Sequence, residues 1–376
     1  MLRNFDVQHF LSNFWQKAPC LIKNALREPP NFVTPDELAG LALDEEVESR
    51  IISNINGNWQ LEHGPFEAEY FAELPEENWT LLIQTLDHWM PEVRPFIDLF
   101  NFIPRWRYDD LMVSFATNGG GVGPHFDNYD VFLVQSSGER RWRVGAKGDT
   151  NNQQTMINGL RHLDEFESII DVIMQPGDIL YIPPDTPHWG QSIGESMGYS
   201  VGFRAPQTRD LLALLLNHLE DNGTESFFED PYRDQANYSS KIEPQLISWA
   251  QKEIRKLSEN QSLIEDLLSN YLSRAKIEEF DGDDEKPFEF KELDIENVAI
   301  RLSESAHANW FEKADFITLN INGDSCQCDL TLLPFIKKLL NGQSVEIKGL
   351  EQQFQKFDFF NSLTRLINKG LILVIK

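Results

Sequence analysis

The chain has 376 residues, 41% of them hydrophobic, which is enough for two or three domains with sizeable cores. Its 60 acidic and 33 basic residues give a formal net charge of −27, which disfavours direct nucleic-acid binding and favours a basic partner, unless the acidity serves only solubility. No apolar run reaches the roughly 18 residues of a membrane span, and the first residues lack an apolar signal core, so we expect a cytoplasmic protein with no membrane partner.

The N-terminal part predicts short helices and strands. Residues 6–18 place apolar side chains at helical spacing after Asp6, a potential N-cap. Residues 19–23 predict a strand. Thr34 followed by Pro35 is typical of a helix start.

A hairpin and a further helix are expected next. Residues 48–55 and 58–63 alternate weakly on either side of Asn56-Gly57, a dipeptide typical of tight hairpin turns. Residues 78–90 predict a helix that leads into the central strands.

The stretch of residues 111–145 carries the pattern on which the functional interpretation depends. Residues 111–116 alternate as a strand, and residues 118–124, with four glycines and a proline, predict a loop. His125 and Asp127 follow on a predicted strand, where residues i and i+2 point to the same face. We therefore expect this imidazole and this carboxylate to converge.

Further strands bring a second histidine to the same region. Residues 136–138 predict a turn and residues 140–144 a return strand. Residues 179–182 predict a short buried strand, which a proline-rich loop joins to His188. The last central strand is expected at residues 198–204.

Two histidines and one aspartate are the ligands of the facial triad that holds Fe(II) in non-haem oxygenases. A lone His-x-Asp motif is more often structural, because buried histidines usually satisfy core hydrogen bonds. The glycine-rich loop, the alternating strands and the proline-rich turn together favour an iron site. Many short strands with ligands on different strands predict a small barrel whose mouth can hold a ligand.

After residue 206 the composition becomes helical. Residues 208–220, 244–258 and 262–277 predict helices without a catalytic pattern, which either pack on the barrel or pair with a second copy. We favour a homodimer. Residues 278–285 predict an acidic linker without the ligand spacing of a calcium loop.

The final segment predicts a small mixed unit. Its expected elements are a helix at 294–302, a strand at 314–321, helices at 331–340 and 352–368 and a strand at 371–375. This order suggests a winged-helix-like domain. Such domains often bind nucleic acid, but the acidity of the chain favours a protein-contact role.

Cysteine usage fits a reducing compartment. The three cysteines, Cys20, Cys326 and Cys328, are too few for a structural zinc site, which takes about four ligands. We expect free thiols.

Four segments of the chain resemble the JmjC-type ribosomal oxygenases. They are the glycine-rich run ending in His125-x-Asp127, residues 139–143, residues 176–188 and residues 199–206. The resemblance extends over residues 1 to about 209 and implies an α+β protein. Its core would be a double-stranded β-helix of the cupin and JmjC type with N-terminal α/β elements.

The same resemblance implies three domains. These are a catalytic domain at residues 1–209, a helical dimerisation region at residues 210–280 and a C-terminal winged-helix-like domain at residues 281–376.

The resemblance also implies the site residues. Fe(II) would be held by His125, Asp127 and His188, with no catalytic residue beyond this triad. Arg140, with Ser114 as a hydroxyl partner, would hold the distal carboxylate of the cosubstrate 2-oxoglutarate, and molecular oxygen would be the other cosubstrate. A guanidinium can bind a carboxylate through two parallel hydrogen bonds.

The activity implied is hydroxylation of an arginine side chain in large-subunit ribosomal protein L-sixteen. A basic ribosomal protein would complement the charge of −27. Residues near the predicted mouth that could contact a guanidinium are Asp109, Asp110, Asn128, Tyr129 and Asp130. The alternatives are a histidine hydroxylase or lysine demethylase on the same barrel, a non-catalytic cupin-like binding protein, and a nucleic-acid binder.

Overall fold

A computed structural model describes residues 2–148, 155–157, 159–163, 165–223, 226–229, 242, 244–275 and 298–375. The chain divides into two compact units, residues 1–205 and residues 206–376. No helix within the described ranges is long and apolar enough to cross a membrane.

The first unit combines short helices with a large sheet. Its helices are α1 (Val7–Asn13), α2 (Pro35–Leu41), α3 (Ala68–Glu73), α4 (Leu86–Trp89) and α5 (Arg94–Ile97). Its strands are β1 (Cys20–Ile22), β2 (Ser49–Ile55), β3 (Asn58–His63), β4 (Trp79–Ile83), β5 (Tyr108–Ala116), β6 (Asp130–Val144), β7 (Thr155–Ile157), β8 (Leu160–His162), β9 (Ile170–Met174), β10 (Ile179–Ile182) and β11 (His188–Phe203).

Nine of these strands form one sheet in the order β1-β10-β6-β11-β5-β4-β2-β3, with β9 paired to the second half of β6. All of its pairings are antiparallel. Side chains from β4, β5, β6, β9 and β11 line one cavity, so the sheet curls around it. Strands β7 and β8 form a separate hairpin.

Aromatic packing fixes α1 to one end of the curled sheet. Phe10, the buried residue of α1, packs edge-on against Tyr181 at a centroid distance of 4.9 Å and contacts the tilted ring of Phe132 at 5.5 Å. Fully burying an aromatic ring of this kind stabilises the fold by about 1.5–3 kcal/mol.

Local chemistry confirms the predicted starts of the N-terminal helices, although α1 ends at Asn13, five residues before the predicted end. Asp6 accepts a hydrogen bond from the amide of His9 and caps α1, and Thr34 forms a capping box with Glu37 at the start of α2. Asn56 joins β2 to β3 with a φ of 53°, and Gly57 follows with a φ of 84°, values that a tight hairpin turn requires.

The predicted helix at residues 78–90 is wrong. Trp79–Ile83 is strand β4, paired with β2 on one side and with β5 on the other, and only Leu86–Trp89 is helical. Leu81, Leu82 and Ile83 are all buried. A strand that is buried on both faces shows a continuous apolar run, which cannot be distinguished from a buried helix by periodicity.

The predicted turn at residues 136–138 is also wrong, because β6 continues through it for 15 residues. Gly138 has a φ of 63°, and the register between β6 and β11 shifts at this point. The residues that predicted a turn therefore form a β-bulge within β6. The last strand, β11, starts at His188, ten residues before the predicted strand at 198–204.

The second unit contains six helices and six strands within its described residues. Its helices are α6 (Thr208–Asn222), α7 (Pro244–Ser258), α8 (Gln261–Ser273), α9 (Leu333–Leu340), α10 (Glu351–Gln355) and α11 (Phe359–Asn368). Its strands are β12 (Ala299–Leu302), β13 (Ala308–Glu312), β14 (Ile317–Ile321), β15 (Asp324–Cys328), β16 (Val345–Glu346) and β17 (Ile372–Ile375).

Polar contacts fasten α8 to the β13-β14-β15 meander. The Asn309 amide donates to the Ser269 carbonyl at 2.7 Å, and Asn320, 1% exposed, donates to Asn309 at 3.2 Å. The Gly323 amide donates to the Ser273 hydroxyl at 3.1 Å. Helix α8 therefore packs with the C-terminal strands.

Two predictions for this unit need correction. Residues 299–302 form strand β12, paired with β16 and β17, instead of a helix, and residues 294–297 lie outside the described ranges. The predicted helix at 352–368 is interrupted by positive φ values at Phe357 and Asp358. The predicted acidic linker at 278–285 lies wholly outside the described residues.

Candidate metal centre and adjoining cavity

His125 and Asp127 lie on an extended segment just before β6, and not on a strand as predicted. A single antiparallel bridge joins His125 to His188, the first residue of β11. The His125 amide donates to the His188 carbonyl at 3.0 Å, and the His188 amide donates back at 2.8 Å. The Asp185 amide donates to the Asp127 carbonyl at 2.8 Å and fixes the third residue.

The rings of both histidines are oriented by backbone carbonyls. His125 Nδ1 lies 2.9 Å from the Gly123 carbonyl, and His188 Nδ1 lies 2.9 Å from the Thr186 carbonyl. A carbonyl oxygen can only accept, so each Nδ1 carries the proton and each Nε2 keeps its lone pair. This is the tautomer that a metal-ligating histidine with a backbone partner adopts.

The ligand atoms of the two histidines lie close to one carboxylate. Asp127 Oδ2 lies 3.8 Å from His125 Nε2 and 3.6 Å from His188 Nε2, and all three ligand atoms lie within 4.8 Å of one another. Burial and the neighbouring His125 lower the pKa of His188 to about 4, so this ring is neutral at pH 7. Two imidazoles and a carboxylate are a donor set that fits Fe(II).

The glycine-rich loop is shaped by close approaches of other groups. Gly123 has a φ of 81°, and a Cβ there would lie 2.4 Å from the ring of His162. A Cβ at Gly121 would lie 2.2 Å from the Gly190 carbonyl. Side chains at these positions would displace the segment that carries His125.

His162, on β8, holds the same loop from outside. Its Nε2 donates to the Val122 carbonyl at 3.0 Å, and the Leu163 amide donates to the Pro124 carbonyl at 2.8 Å. The Trp59 ring packs edge-on against the His162 ring at a centroid distance of 4.5 Å. No sequence motif marks His162, because its role depends on a loop 40 residues earlier.

Arg140 lies on β6 and is buried, with 8% of its surface exposed. Its Nη1 donates to Ser114 Oγ at 3.0 Å, and its Nε and Nη2 donate to Ser196 Oγ at 3.3 and 3.1 Å. No carboxylate within the described ranges forms an ion pair with it. Burial lowers the pKa of Arg140 to about 10, so it remains charged at pH 7.

The triad and the arginine share one cavity. His125, Asp127, His188, Arg140 and Ser114 all line it. A buried cation is costly unless it is paired or fully hydrogen-bonded. Arg140 therefore makes this cavity suited to an anionic ligand, and His125, Asp127 and His188 present three metal-binding atoms to the same cavity.

A wider mouth adjoins the cavity on the side of the triad. Both spaces are lined by Leu82, Met112, Val122 and Tyr129. Arg50 lines the mouth but not the inner cavity. Asn128 and Tyr129 are thus at the mouth, as the sequence analysis expected. Leu82 was missed because β4 was predicted to be helical.

The aspartates expected at the mouth have other partners. Asp109 forms an ion pair with Arg204 at 2.9 Å, and Asp130 is 0% exposed and pairs with Arg107 at 2.7 Å. The buried Asp110 accepts a hydrogen bond from Gln84. None of the three aspartates lines the mouth.

Known proteins resemble this chain over most of its length. Residues 95–211 match the family model of the JmjC domain. The chain is 39% identical over 285 residues to the ribosomal protein uL16 3-hydroxylase of Escherichia coli strain K12, and the match covers 76% of each protein.

Solved structures extend the likeness to the whole chain. The X-ray structure of Escherichia coli YcfD matches with a TM-score of 0.86 and 32% identity over 100% of this chain and 99% of that chain. A structure of YcfD, a ribosomal oxygenase, in complex with cobalt and 2-oxoglutarate matches over the same shares with a TM-score of 0.83 and 32% identity.

Proposed function

The chain belongs to the JmjC-type ribosomal oxygenases, and we propose on that premise that it hydroxylates an arginine side chain of ribosomal protein uL16, using Fe(II), 2-oxoglutarate and oxygen. One observation carries the proposal. A buried arginine without a carboxylate partner in the described chain lines the same cavity as two histidines and an aspartate whose ligand atoms lie within 4.8 Å of one another.

Different residues of the cavity would bind the metal and the cosubstrate. His125, Asp127 and His188 would each give Fe(II) one ligand atom, and Arg140 and Ser114 would hold the distal carboxylate of 2-oxoglutarate. When bound, the iron and 2-oxoglutarate supply the chemistry by which one atom of O₂ enters a C–H bond while 2-oxoglutarate becomes succinate and CO₂. The protein contributes position, charge and exclusion of water.

The apolar lining suits the methylene groups of a long side chain. Leu82, Met112, Val122 and Tyr129 line the path from the mouth to the triad. They would pack against the aliphatic part of an arginine and keep water from the reacting carbon. The charge of −27 would attract a basic ribosomal protein, which is a cytoplasmic partner.

The proposal includes a homodimer formed by the helical region. Large apolar side chains are exposed on α6, at Leu212 (60%) and Leu216 (56%), and on α7, at Ile247 (51%) and Ile254 (67%). Exposed apolar faces of this kind are typical of interfaces. Light scattering should give the mass of a dimer, and a monomer at micromolar concentrations would exclude this part of the proposal.

Mass spectrometry tests the activity. Ribosomal proteins are incubated with the protein, Fe(II), 2-oxoglutarate and oxygen, beside an Asp127→Ala variant and an Asp171→Ala variant, which removes an exposed carboxylate instead. We expect one added oxygen on an arginine of uL16 with the wild type and with Asp171→Ala, and none with Asp127→Ala.

Other outcomes would separate the alternatives. Succinate release with an oxidised histidine in another ribosomal protein would indicate a histidine hydroxylase. No succinate and no oxidised protein, with metal demonstrably bound, would indicate a non-catalytic binding protein.

A further inference from the structure

The guanidinium of Arg140 has three of its donors committed to two serines. An arginine side chain carries five N–H groups. Ser196 Oγ accepts from both Nε and Nη2, at 3.3 and 3.1 Å, and so closes one side of the guanidinium. Ser114 accepts from Nη1 at 3.0 Å. One N–H therefore remains on Nη1 and one on Nη2, and a carboxylate can accept from such a pair through both of its oxygens.

Ser196 is itself held in place. Its Oγ lies 2.7 Å from Ser192 Oγ, and the Ser192 hydroxyl also lies 2.7 Å from the Gly194 carbonyl, so its one proton serves one of these two contacts at a time. Ser192 is the cross-strand partner of Arg140, and the two serines are 3% and 1% exposed. The hydroxyl that faces the guanidinium thus has a fixed and dry environment.

A β-bulge brings both serines to the same guanidinium. The register of β11 against β6 shifts between Ile193 and Met197. Gly138 at this shift has a φ of 63°, and a Cβ there would lie 2.0 Å from the Glu195 carbonyl. Without the bulge, Ser192 would be the only serine of β11 next to Arg140.

Gly198 lies beside the remaining donors, where a Cβ would approach the Val134 carbonyl to 3.3 Å. A Cβ at Gly198 would lie 3.7 Å from Arg140 Nη1 and 3.8 Å from Ser114 Oγ. Gly198 is the cross-strand partner of Ser114 and lines the cavity. Because the glycine has no side chain, no Cβ crowds the guanidinium at the position where the end of a dicarboxylic acid would bind.

We propose that Ser196, braced by Ser192, is a positioning residue that fixes the direction of the Arg140 guanidinium and thereby sets the chain length of the 2-oxo acid that the site accepts. This inference rests on the proposed function, since it takes Arg140 to bind the distal carboxylate. An arginine side chain has several rotatable bonds. When Ser196 holds one side of the guanidinium, the two free N–H groups of Arg140 point in one direction. They can then bind a carboxylate only at one fixed distance from the metal-binding residues.

Kinetics with two cosubstrates test the inference. Ser196→Ala, Ser196→Thr and the control Ser136→Ala are assayed with 2-oxoglutarate and with 2-oxoadipate, which is one methylene longer. Ser136 is a matched control, because it is a buried strand serine like Ser196 but lies on β6, and its hydroxyl donates to the Pro30 carbonyl and makes no bond to Arg140.

We expect Ser196→Ala to raise KM for 2-oxoglutarate roughly tenfold with kcat within about twofold, because a lost contact to a non-reacting group removes uniform binding. The preference in kcat/KM for 2-oxoglutarate over 2-oxoadipate should fall several-fold, since one methylene is discriminated only by a rigid pocket. Ser196→Thr, which keeps the hydroxyl, should retain most of the preference, and Ser136→Ala should leave it unchanged.

The outcomes separate this inference from the function on which it rests. If Ser196→Ala lowers the rates with both acids in proportion, its role is only structural and the inference is wrong. If Arg140→Lys changes neither KM, the proposed use of Arg140 fails as well. If Arg140→Lys raises KM for 2-oxoglutarate and Ser196→Ala leaves KM and preference unchanged, the inference alone is wrong. Should Ser196→Ala not fold, Ser192→Ala must lower the preference, and an unchanged preference would overturn the inference.

Discussion

Arg140 and Arg141 are neighbours on β6, yet the guanidinium of Arg140 is buried against two serine hydroxyls while that of Arg141 is exposed and pairs with Asp171 at 2.6 Å. The alternation of a strand separates them, because consecutive side chains point to opposite faces of a sheet. Two residues of identical type, one position apart, thus have different chemical environments.

The two arginines offer a matched pair of substitutions. Arg140→Lys should raise KM for 2-oxoglutarate roughly tenfold or more, because an ammonium cannot form the paired hydrogen bonds of a guanidinium. Arg141→Lys should change KM by less than about twofold, since exposed ion pairs contribute only about 0–1 kcal/mol. Initial rates of succinate release measure both. Equal effects of the two substitutions would contradict the assignment of Arg140.

The support that His162 gives to the glycine-rich loop predicts an effect on metal affinity. His162→Phe keeps a ring against Gly123 but loses the hydrogen bond to the Val122 carbonyl. We expect the dissociation constant for Co(II) to rise roughly tenfold, which is the lower end of the effect of removing groups that support metal ligands. Calorimetry with Co(II) measures it.

Two further variants complete this comparison. His162→Gln keeps a donor and should recover part of the affinity, whereas His9→Gln alters an exposed histidine of α1 and should have no effect. An unchanged affinity in His162→Phe would show that the loop holds His125 without help from β8.

The buried pair of Asp130 and Arg107 predicts a large loss of stability on removal of one partner. Asp130 also accepts hydrogen bonds from Tyr181 at 2.5 Å and from Gln16 at 3.1 Å. Burial raises the pKa of Asp130 and lowers the pKa of Arg107, so the loss of hydration outweighs their attraction. Asp130→Asn leaves a buried cation and should lower the free energy of unfolding by roughly 3–5 kcal/mol.

Urea denaturation tests this prediction. The double variant Arg107→Met, Asp130→Leu should regain most of the loss, because replacing a buried ion pair by apolar groups is often neutral. Asp171→Asn removes an exposed ion pair and should cost less than about 1 kcal/mol. A double variant less stable than Asp130→Asn would mean that the pair stabilises the fold.

The cysteines should be unreactive in the folded protein. Burial raises the pKa of Cys20 to about 11 and that of Cys326 to about 12, and it raises the pKa of Cys328 as well. Since the thiolate is the nucleophile, the reactive fraction at pH 8 should fall roughly 100-fold for Cys20 and 1,000-fold for Cys326 relative to an ordinary thiol.

A disulfide reagent such as Ellman's reagent measures this. All three thiols should react at once in guanidinium chloride and slowly in buffer at pH 8, and the native rate should increase with pH up to about 11. Rapid labelling of one native thiol at pH 8 would show that its surroundings open.

Short-range patterns in the sequence predicted much of the site. The family and its cupin-type fold are confirmed by the comparisons, and the convergence of His125, Asp127 and His188 is seen in the structure. These residues stand in segments whose glycines permit unusual backbone conformations and whose prolines restrict φ locally. Ser114 was also expected beside Arg140, and the two are hydrogen-bonded.

Features that depend on distant partners were not predictable. Strand β4 was mistaken for a helix because the side chains on both of its faces are buried, and its pairing with β2 and β5 depends on distant segments. The bulge at Gly138 looked like a turn, because a positive φ serves in both. Ser196 was overlooked, although small residues alternate with apolar ones from Ser196 to Gly202, a pattern that leaves space on one face of a strand.

The mutual backbone hydrogen bonds of His125 and His188 have a consequence for how the protein would acquire its metal. Since these bonds and the carbonyl contacts of both rings belong to the folded chain, the three ligand groups are already gathered by folding. The conformational entropy of assembling them is therefore lost once, during synthesis, and not at each encounter with an ion. The folded chain would therefore keep the three ligand groups gathered through repeated loss and uptake of the metal, with no new folding step at each uptake.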